Sequence, residues 1–267
     1  MERTQGLYVT TEGRNNGITI KSPQELKVMR EAGRVTASAR EAVVRALQPG
    51  MRTKELDAIA AKEMRRLGGK PSFKGYRGFP ATICVSVNNE IVHGIPGDRV
   101  IKEGDVVSID VGAIVGGFHG DSAVTVVAGK AAQETDRLIE ATRLSLELGI
   151  KQAVAGRRVG DISYAVQQFA EAQGYGVVRE YVGHGIGRAL HEDPAVPNVG
   201  VPGKGPLLRV GMVIAIEPML NMGTWQTRQL DDGWTVVTAD GSLSAHFEHT
   251  VAITENGPWV LTAVEGE

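Results

Sequence analysis

Asp110, Asp121, Glu217 and Glu248 each end or interrupt a stretch that is otherwise apolar and β-branched. A charge in such a stretch is costly without a counter-charge. In VVSIDV the side chains of Val106, Ser108 and Asp110 share one strand face. Asp121 begins the returning strand after a Gly-rich turn, and facing residues of an antiparallel pair have Cβ atoms about 4.5–5.5 Å apart. The spacing therefore predicts a hairpin with two carboxylates side by side. Glu217, closing MVIAIE, and Glu248, inside HFEHTV, repeat the arrangement. Four converging carboxylates repel one another unless cations sit between them, and two divalent ions cancel that charge. Taken singly, each acid also reads as an exposed strand-end or turn carboxylate. A protease or glycosidase dyad is a further alternative, but it uses two acids and leaves the other pair and the histidines unexplained.

The chain has six histidines, at 93, 119, 184, 191, 246 and 249. His184 sits in YVGHGIG, where flanking glycines leave the imidazole uncrowded, and reads as a metal ligand. Four carboxylates and one imidazole suit Mn, Fe, Co or Zn rather than a thiolate-selected metal. His93 and His191 adjoin Gly-Ile-Pro and Glu-Asp-Pro turns, as loop residues reaching into a cleft or as hydrogen-bonded turn residues. His249 follows Glu248, points to the opposite face and reads as structural. His119 and His246 lie two residues before acids and share their faces, and they read as outer partners of those acids or, preferably, as solvated side chains.

These residues need elements to hold them. Ser22-Pro23-Gln24-Glu25 is a capping box with proline in the first turn. The helix that follows carries Leu26, Met29, Ala32, Val35, Ala39, Val43 and Leu47 inward and stops at Pro49-Gly50. A second helix starts near Thr53 and ends at Gly68-Gly69, and strands are expected at 83–87, 105–111 and 121–127. The order then repeats: helices over 132–154 and after Asp161, then strands at 176–182, 212–217 and 246–254. PGMRTKEL (49–56) lies over AGRRVGDI (155–162), and EGDVVSIDV (103–111) over VGMVIAIEP (210–218), at nearly one offset. Two related α/β halves, about 21–130 and 131–260, are expected in one domain over 21–267, behind an extension at 1–20.

With 267 residues, 42% apolar and 22% charged, the chain can bury a large core without a disulfide or metal staple. No run of 18 apolar residues suggests a membrane span, and the first twenty residues carry no secretory pattern. A lone cysteine, Cys84, fits a reducing cytoplasm. The net charge of −2 hides an asymmetry: residues 1–77 hold 16 Lys and Arg against 8 Asp and Glu. That reads as solvated helix faces, or as a basic surface for an acidic partner such as RNA, facing away from an acidic cleft.

Seven motifs in order, VHGIP (92–96), SIDVG (108–112), FHGD (118–121), GHGIG (183–187), IEPM (216–219), DGWTV (232–236) and FEHT (247–250), closely resemble type I methionine aminopeptidases. The resemblance runs from about residue 20 to the C-terminus and matches the bacterial short form. It implies the pita-bread α/β (α+β) fold, with two pseudo-twofold-related halves around a central, mostly antiparallel sheet. It makes Asp110, Asp121, His184, Glu217 and Glu248 ligands of two divalent ions (Co2+, Mn2+, Fe2+ or Zn2+). Asp121 and Glu248 bridge the pair, and Glu217 also transfers protons. His93 and His191 become catalytic, substrate-contacting histidines. The implied reaction is hydrolytic removal of the N-terminal methionine from nascent chains when the second residue is small, with a two-metal-activated water as nucleophile.

Phe73, Tyr76, Phe79, Cys84, Leu190 and Trp234 would line the methionine pocket or, taken singly, pack the ordinary core. Phe73, Leu190 and His246 depart from the usual bacterial pattern and bear on pocket shape, not on the reaction. A monomer is expected, with a transient ribosome contact through the basic first third and no sequence-specific nucleic acid. Two rivals share the fold: an Xaa-Pro peptidase, with a different pocket and a large N-terminal domain, and a binding module that has lost its ligands.

Overall fold

The first helix, α1 (Pro23–Ala46), begins as its capping box dictates. The Ser22 hydroxyl accepts from the Glu25 N–H, and the Glu25 carboxylate accepts from the Ser22 N–H. This computed structural model describes residues 17–264, so the expected extension before Gly17 lies outside the described residues. Leu26, Met29, Ala32, Val35, Ala39 and Val43 are all buried, each large side chain being worth roughly 1.5–3 kcal/mol. Leu47, the last of the expected stripe, is the C-cap and stays half-buried. The second helix, α2 (Thr53–Arg66), adds Leu56, Ala60 and Met64 to the same core.

Five strands complete this half: β1 (Lys70–Pro71), β2 (Cys84–Val87), β3 (Glu90–Val92), β4 (Val106–Val115) and β5 (Phe118–Val127). β4 pairs with β1, β2 and β5. Gly116 and Gly117, with φ of 56° and 79°, form the two-residue turn between β4 and β5. So tight a turn lets β5 begin at Phe118, ahead of the expected start at Asp121. Along β4, Val107, Ile109, Val111 and Ala113 join the core under α1 and α2. By alternation Ser108 and Asp110 face the other way, towards the second half.

The second half repeats the order with α3 (Gln133–Gln152), α4 (Val159–Ala172), β6 (Gly176–Val177), β7 (Gly183–Gly185), β8 (Glu192–Val196) and β9 (Val213–Ile216). Then come β10 (Met219–Asn221), β11 (Thr227–Gln229), β12 (Val236–Thr238), β13 (Ser244–His246), β14 (His249–Thr254) and β15 (Gly257–Val260). The main sheet runs β15-β14-β9-β7-β8. Ile214 and Ile216 pack with Leu146 and Ile162 of α3 and α4, so Val213, Ala215 and Glu217 alternate to the far face. Two expectations change. The strand at 176–182 is only β6, and the run at 246–254 breaks at Phe247-Glu248. There the chain leaves its pairing with β10 and takes up pairing with β9. Every pairing between these strands is antiparallel, and an isolated bridge between Ile18 and Asp193 is parallel. The result is the two-halved α/β arrangement, helices outside and antiparallel strands meeting inside.

Candidate active site

The two halves meet on their carboxylates. Asp110 on β4 lies opposite Cys84 and Ala123, whereas Asp121 on β5 lies opposite Gly112. The two aspartates are therefore diagonal neighbours on one face rather than a facing pair, because the short turn shifts the register. They still stand close enough for each to act on the other's ionisation. Glu217 follows the last residue of β9, and Glu248 occupies the break between β13 and β14. Asp121, His184 and Glu248 are 4%, 7% and 2% exposed and bring one ligand atom each within 4.8 Å of one another. His184 Nε2 is 3.6 Å from Glu217 Oε1 and 4.0 Å from Asp121 Oδ2.

His184 Nδ1 lies 2.9 Å from the Gly185 carbonyl, which can only accept. The proton is thus on Nδ1, and the Nε2 lone pair faces the acids. Burial holds this imidazole down near 4, so it stays neutral. Burial also raises Asp110 to about 7 and holds Asp121, Glu217 and Glu248 well above the usual carboxylate range. The charges of neighbouring carboxylates add to that rise: Glu248 and Asp110 on Asp121, and Asp121 and Asp110 on Glu217. Asp110 Oδ1, Asp121 Oδ1 and Glu248 Oε1 are buried with no hydrogen-bond partner among the described residues. Orphaned buried acceptors of this kind require a cation or a proton. Oxygen donors with one imidazole fit divalent Mn, Fe, Co or Zn. Burial and the nearby Asp110 charge raise the Cys84 thiol well above its ordinary value, so it stays protonated.

His93 and His191 flank this centre. His93 follows β3 in the left-handed region, φ 62°, and its ring lies edge-on to Tyr181 and Trp234 at 5.7 and 6.4 Å. A side chain held there is strained, and such strain clusters at functional sites. His191 lies 4.2 Å, centroid to centroid, from His184 and stacks on Tyr76, with Nδ1 2.8 Å from the Tyr76 hydroxyl. Phe73, Phe79, Cys84 and Leu190 are buried in one apolar cluster, and Tyr76 and Trp234 pack against it half-buried. Phe79 and Trp234 meet edge to face at 5.1 Å.

Of the remaining histidines, His249 bonds the Thr262 hydroxyl at 2.8 Å and is structural. His119 bonds Ser72 at 2.9 Å. His246 is a correction: it is 2% exposed rather than solvated, because β5 lies against β13, with Thr125 bonding the His246 backbone, and its Nε2 has no partner among the described residues. Sequence reasoning missed Tyr181, whose only signal was its place three residues before His184. It also missed Lys21. The buried Lys21 ammonium bonds Glu192 at 2.8 Å, and the other Glu192 oxygen accepts the Ala189 N–H at 3.1 Å. This pair ties down the loop that carries Leu190 and His191, and no local pattern around Lys21 signals it.

The family model described as metallopeptidase family M24 matches residues 27–255. Methionine aminopeptidase 1 of Bacillus subtilis is 53% identical over 247 residues, covering 92% of this chain and all of that protein. The Aquifex aeolicus methionine aminopeptidase is 49% identical, over 92% of this chain and 98% of that one. The crystal structure of methionine aminopeptidase from Thermotoga maritima superposes with a TM-score of 0.90 at 48% identity, over 92% of this chain and 99% of that one. Prolidase from Pyrococcus furiosus, 24% identical with a TM-score of 0.75, shares the fold over 92% of this chain but only 66% of its own. The chain belongs to metallopeptidase family M24 and, within it, to the methionine aminopeptidases.

Proposed function

We propose that this chain hydrolyses the peptide bond after an N-terminal methionine when the next residue is small. The observation that carries the reading is the buried Asp121–His184–Glu248 cluster, with its orphaned oxygens, beside the apolar cluster of Phe73, Phe79, Cys84 and Leu190. Asp110, Asp121, His184, Glu217 and Glu248 would hold two divalent ions. When bound, such ions supply the positive charge that acidifies a water and polarises the scissile carbonyl.

The rest is the work of side chains. Glu217 accepts the water proton and passes it to the leaving nitrogen. If the Tyr76 hydroxyl donates to His191 Nδ1, the Nε2–H of His191 is left to donate to the oxyanion. His93, its ring edged by Tyr181 and Trp234, stands by the leaving nitrogen. The apolar cluster takes the thioether, Tyr76 and Trp234 closing its rim. The free α-amine would be received at the metal centre and its acidic wall, which restricts the reaction to chain ends.

The test is hydrolysis of Met-Ala-Ser and of a Gly-Pro-Ser peptide by chelated and metal-reconstituted protein, with bound metal counted. Met-Ala-Ser should be cleaved by the reconstituted protein alone. Preferential cleavage of the Xaa-Pro bond would assign the chain to the other pita-bread specificity. Bound metal with no hydrolysis of either peptide would leave a binding module.

The reading extends to a cytoplasmic monomer that meets nascent chains at the ribosome. Cys84, buried and free, suits a reducing compartment. Among the described residues no helix is long and apolar enough to cross a membrane. Arg45, Lys62, Arg65 and Lys70 are exposed on the α1–α2 side. Phosphate contacts made by such groups release counterions, so affinity falls steeply with salt. Co-sedimentation with ribosomes should therefore be visible at low salt and lost at moderate salt. Absence of binding at low salt, or binding that ignores salt, refutes the contact.

A further inference from the structure

Asp121 lies on β5, and the chain through Glu248, between β13 and β14, runs alongside it across the junction of the halves. Ala123 and Glu248 exchange both backbone hydrogen bonds, at 3.3 and 3.0 Å. In an antiparallel ladder the next exchanging pairs lie two residues away on either side. Here those pairs are Asp121 with Thr250 and Thr125 with His246, and in each a threonine hydroxyl stands between the backbones. Thr250 Oγ1 accepts the Asp121 N–H at 2.9 Å and donates to the Asp121 carbonyl at 2.8 Å. Thr125 Oγ1 accepts the His246 N–H at 2.8 Å and donates to the His246 carbonyl at 2.8 Å. Its one proton is then spent, so Ser108, 2.8 Å away, is the donor to Thr125.

The substitution has a local cause. The Thr250 backbone is committed to the other side, its N–H to Thr262 Oγ1 at 3.1 Å and its carbonyl to the Leu261 N–H at 2.8 Å. Only its side chain can reach Asp121. A hydroxyl inserted between N–H and C=O holds two strands further apart than a direct bond does, and it fixes the orientation of the residue it clasps. The residues so held are Asp121 itself and His246, two positions before Glu248. Asp121 and Glu248 are the two acids that, with His184, converge within 4.8 Å while each keeps a buried oxygen free.

We propose that Thr125 and Thr250 are positioning residues whose hydroxyls set the gap between the two central strands, and so hold the Asp121 and Glu248 carboxylates open for metal. The proposal rests on the metal-centre reading above. Its own content is that metal affinity is tuned by a hydroxyl that touches neither metal nor substrate. Loss of a partner of this outer kind typically costs about 10–100-fold in metal affinity. The junction has a separate anchor, because Arg40 Nη1 donates to Ser122 Oγ at 2.6 Å and Ser122 Oγ donates to the Glu248 carbonyl at 2.8 Å. A valine in place of Thr250 keeps the shape and leaves that anchor intact.

The experiment titrates Co2+ or Mn2+ into chelated wild type, Thr250→Val and Thr250→Ser, followed by calorimetry and by the visible Co2+ spectrum. Expected is a metal Kd raised at least about tenfold in Thr250→Val and restored to within about twofold in Thr250→Ser. KM for Met-Ala-Ser should be unchanged at saturating metal, since the apolar cluster is untouched. Thr125→Val should shift metal affinity in the same direction, and it decides the matter if Thr250→Val does not fold. A folded Thr250→Val with wild-type Kd and spectrum overturns the proposal. So does a serine variant as weak as the valine one, or failure of both valine variants to fold, which would make the clasps purely structural. Wild type that binds no metal overturns the metal centre and this proposal with it.

Discussion

Glu217→Gln is expected to lower kcat by roughly 10²–10⁴-fold, the ordinary worth of a positioned general acid–base group, while the fold stays intact. The substitution keeps the volume and one oxygen donor but removes the charge and the proton acceptor. Glu217 occupies the turn after β9, with Oε1 3.6 Å from His184 Nε2, close to the centre yet outside the tight Asp121–His184–Glu248 group. Burial and the charges of Asp121 and Asp110 push its carboxyl well above the usual range, the direction that suits a group exchanging protons near neutrality. The discriminating measurement is metal stoichiometry beside kcat. A variant that binds two ions per chain and turns over Met-Ala-Ser at the wild-type rate would remove Glu217 from proton transfer. A variant that loses metal in proportion to activity would make it a ligand only.

What the sequence made legible was whatever a short window encodes. Ser22 and Glu25 sit three residues apart, and their reciprocal bonds follow from that spacing alone. The alternation along VVSIDV placed Val107 and Ile109 on the helix side and Asp110 on the other, because strand period depends on nothing distant. Register is another matter. It depends on how many residues the turn consumes, and the Gly116-Gly117 turn moved Asp121 from facing Asp110 to a diagonal place. The break at Phe247-Glu248 was hidden for a related reason. HFEHTVAIT, with no glycine or proline to interrupt it, reads as one strand, yet its two ends pair with different neighbours. Long-range contacts left no local mark at all: Lys21 finds Glu192 171 positions away, and Thr250 finds Asp121 129 positions away. Phe73, Tyr76, Phe79, Cys84, Leu190 and Trp234 do come together, although they are scattered over more than 160 positions, and it was the family resemblance rather than any periodicity that named them as a set.

Selectivity for the residue after methionine should be steep and steric. In the proposed mode of binding that residue passes between the loops of His93 and His191, and both loops are held in place. Behind His93, Gly94 packs so closely on β2 that an added Cβ would stand 2.3 Å from the Val85 carbonyl oxygen, and its N–H bonds Ser86 Oγ at 3.0 Å. Behind His191, the ring rests on Tyr76, and Glu192 is locked to buried Lys21. That ion pair and the Ala189 N–H on the other Glu192 oxygen hold the loop in place when a substrate presses on it. A bulky second side chain must therefore displace the substrate instead, and moving the scissile carbonyl by about 1 Å costs on the order of 10²-fold in rate. Met-X-Ser peptides with X = Gly, Ala, Ser, Thr, Pro or Val should be processed, and those with Leu, Lys, Phe or Glu resisted. Norleucine should replace methionine, since Phe73, Phe79 and Leu190 offer shape and no polar group to read a sulfur. Equal kcat/KM for X = Ala and X = Phe would refute rigid walls at His93 and His191. Rapid cleavage of an N-terminal lysine would refute the apolar pocket, because a buried ammonium there would meet no partner among those side chains.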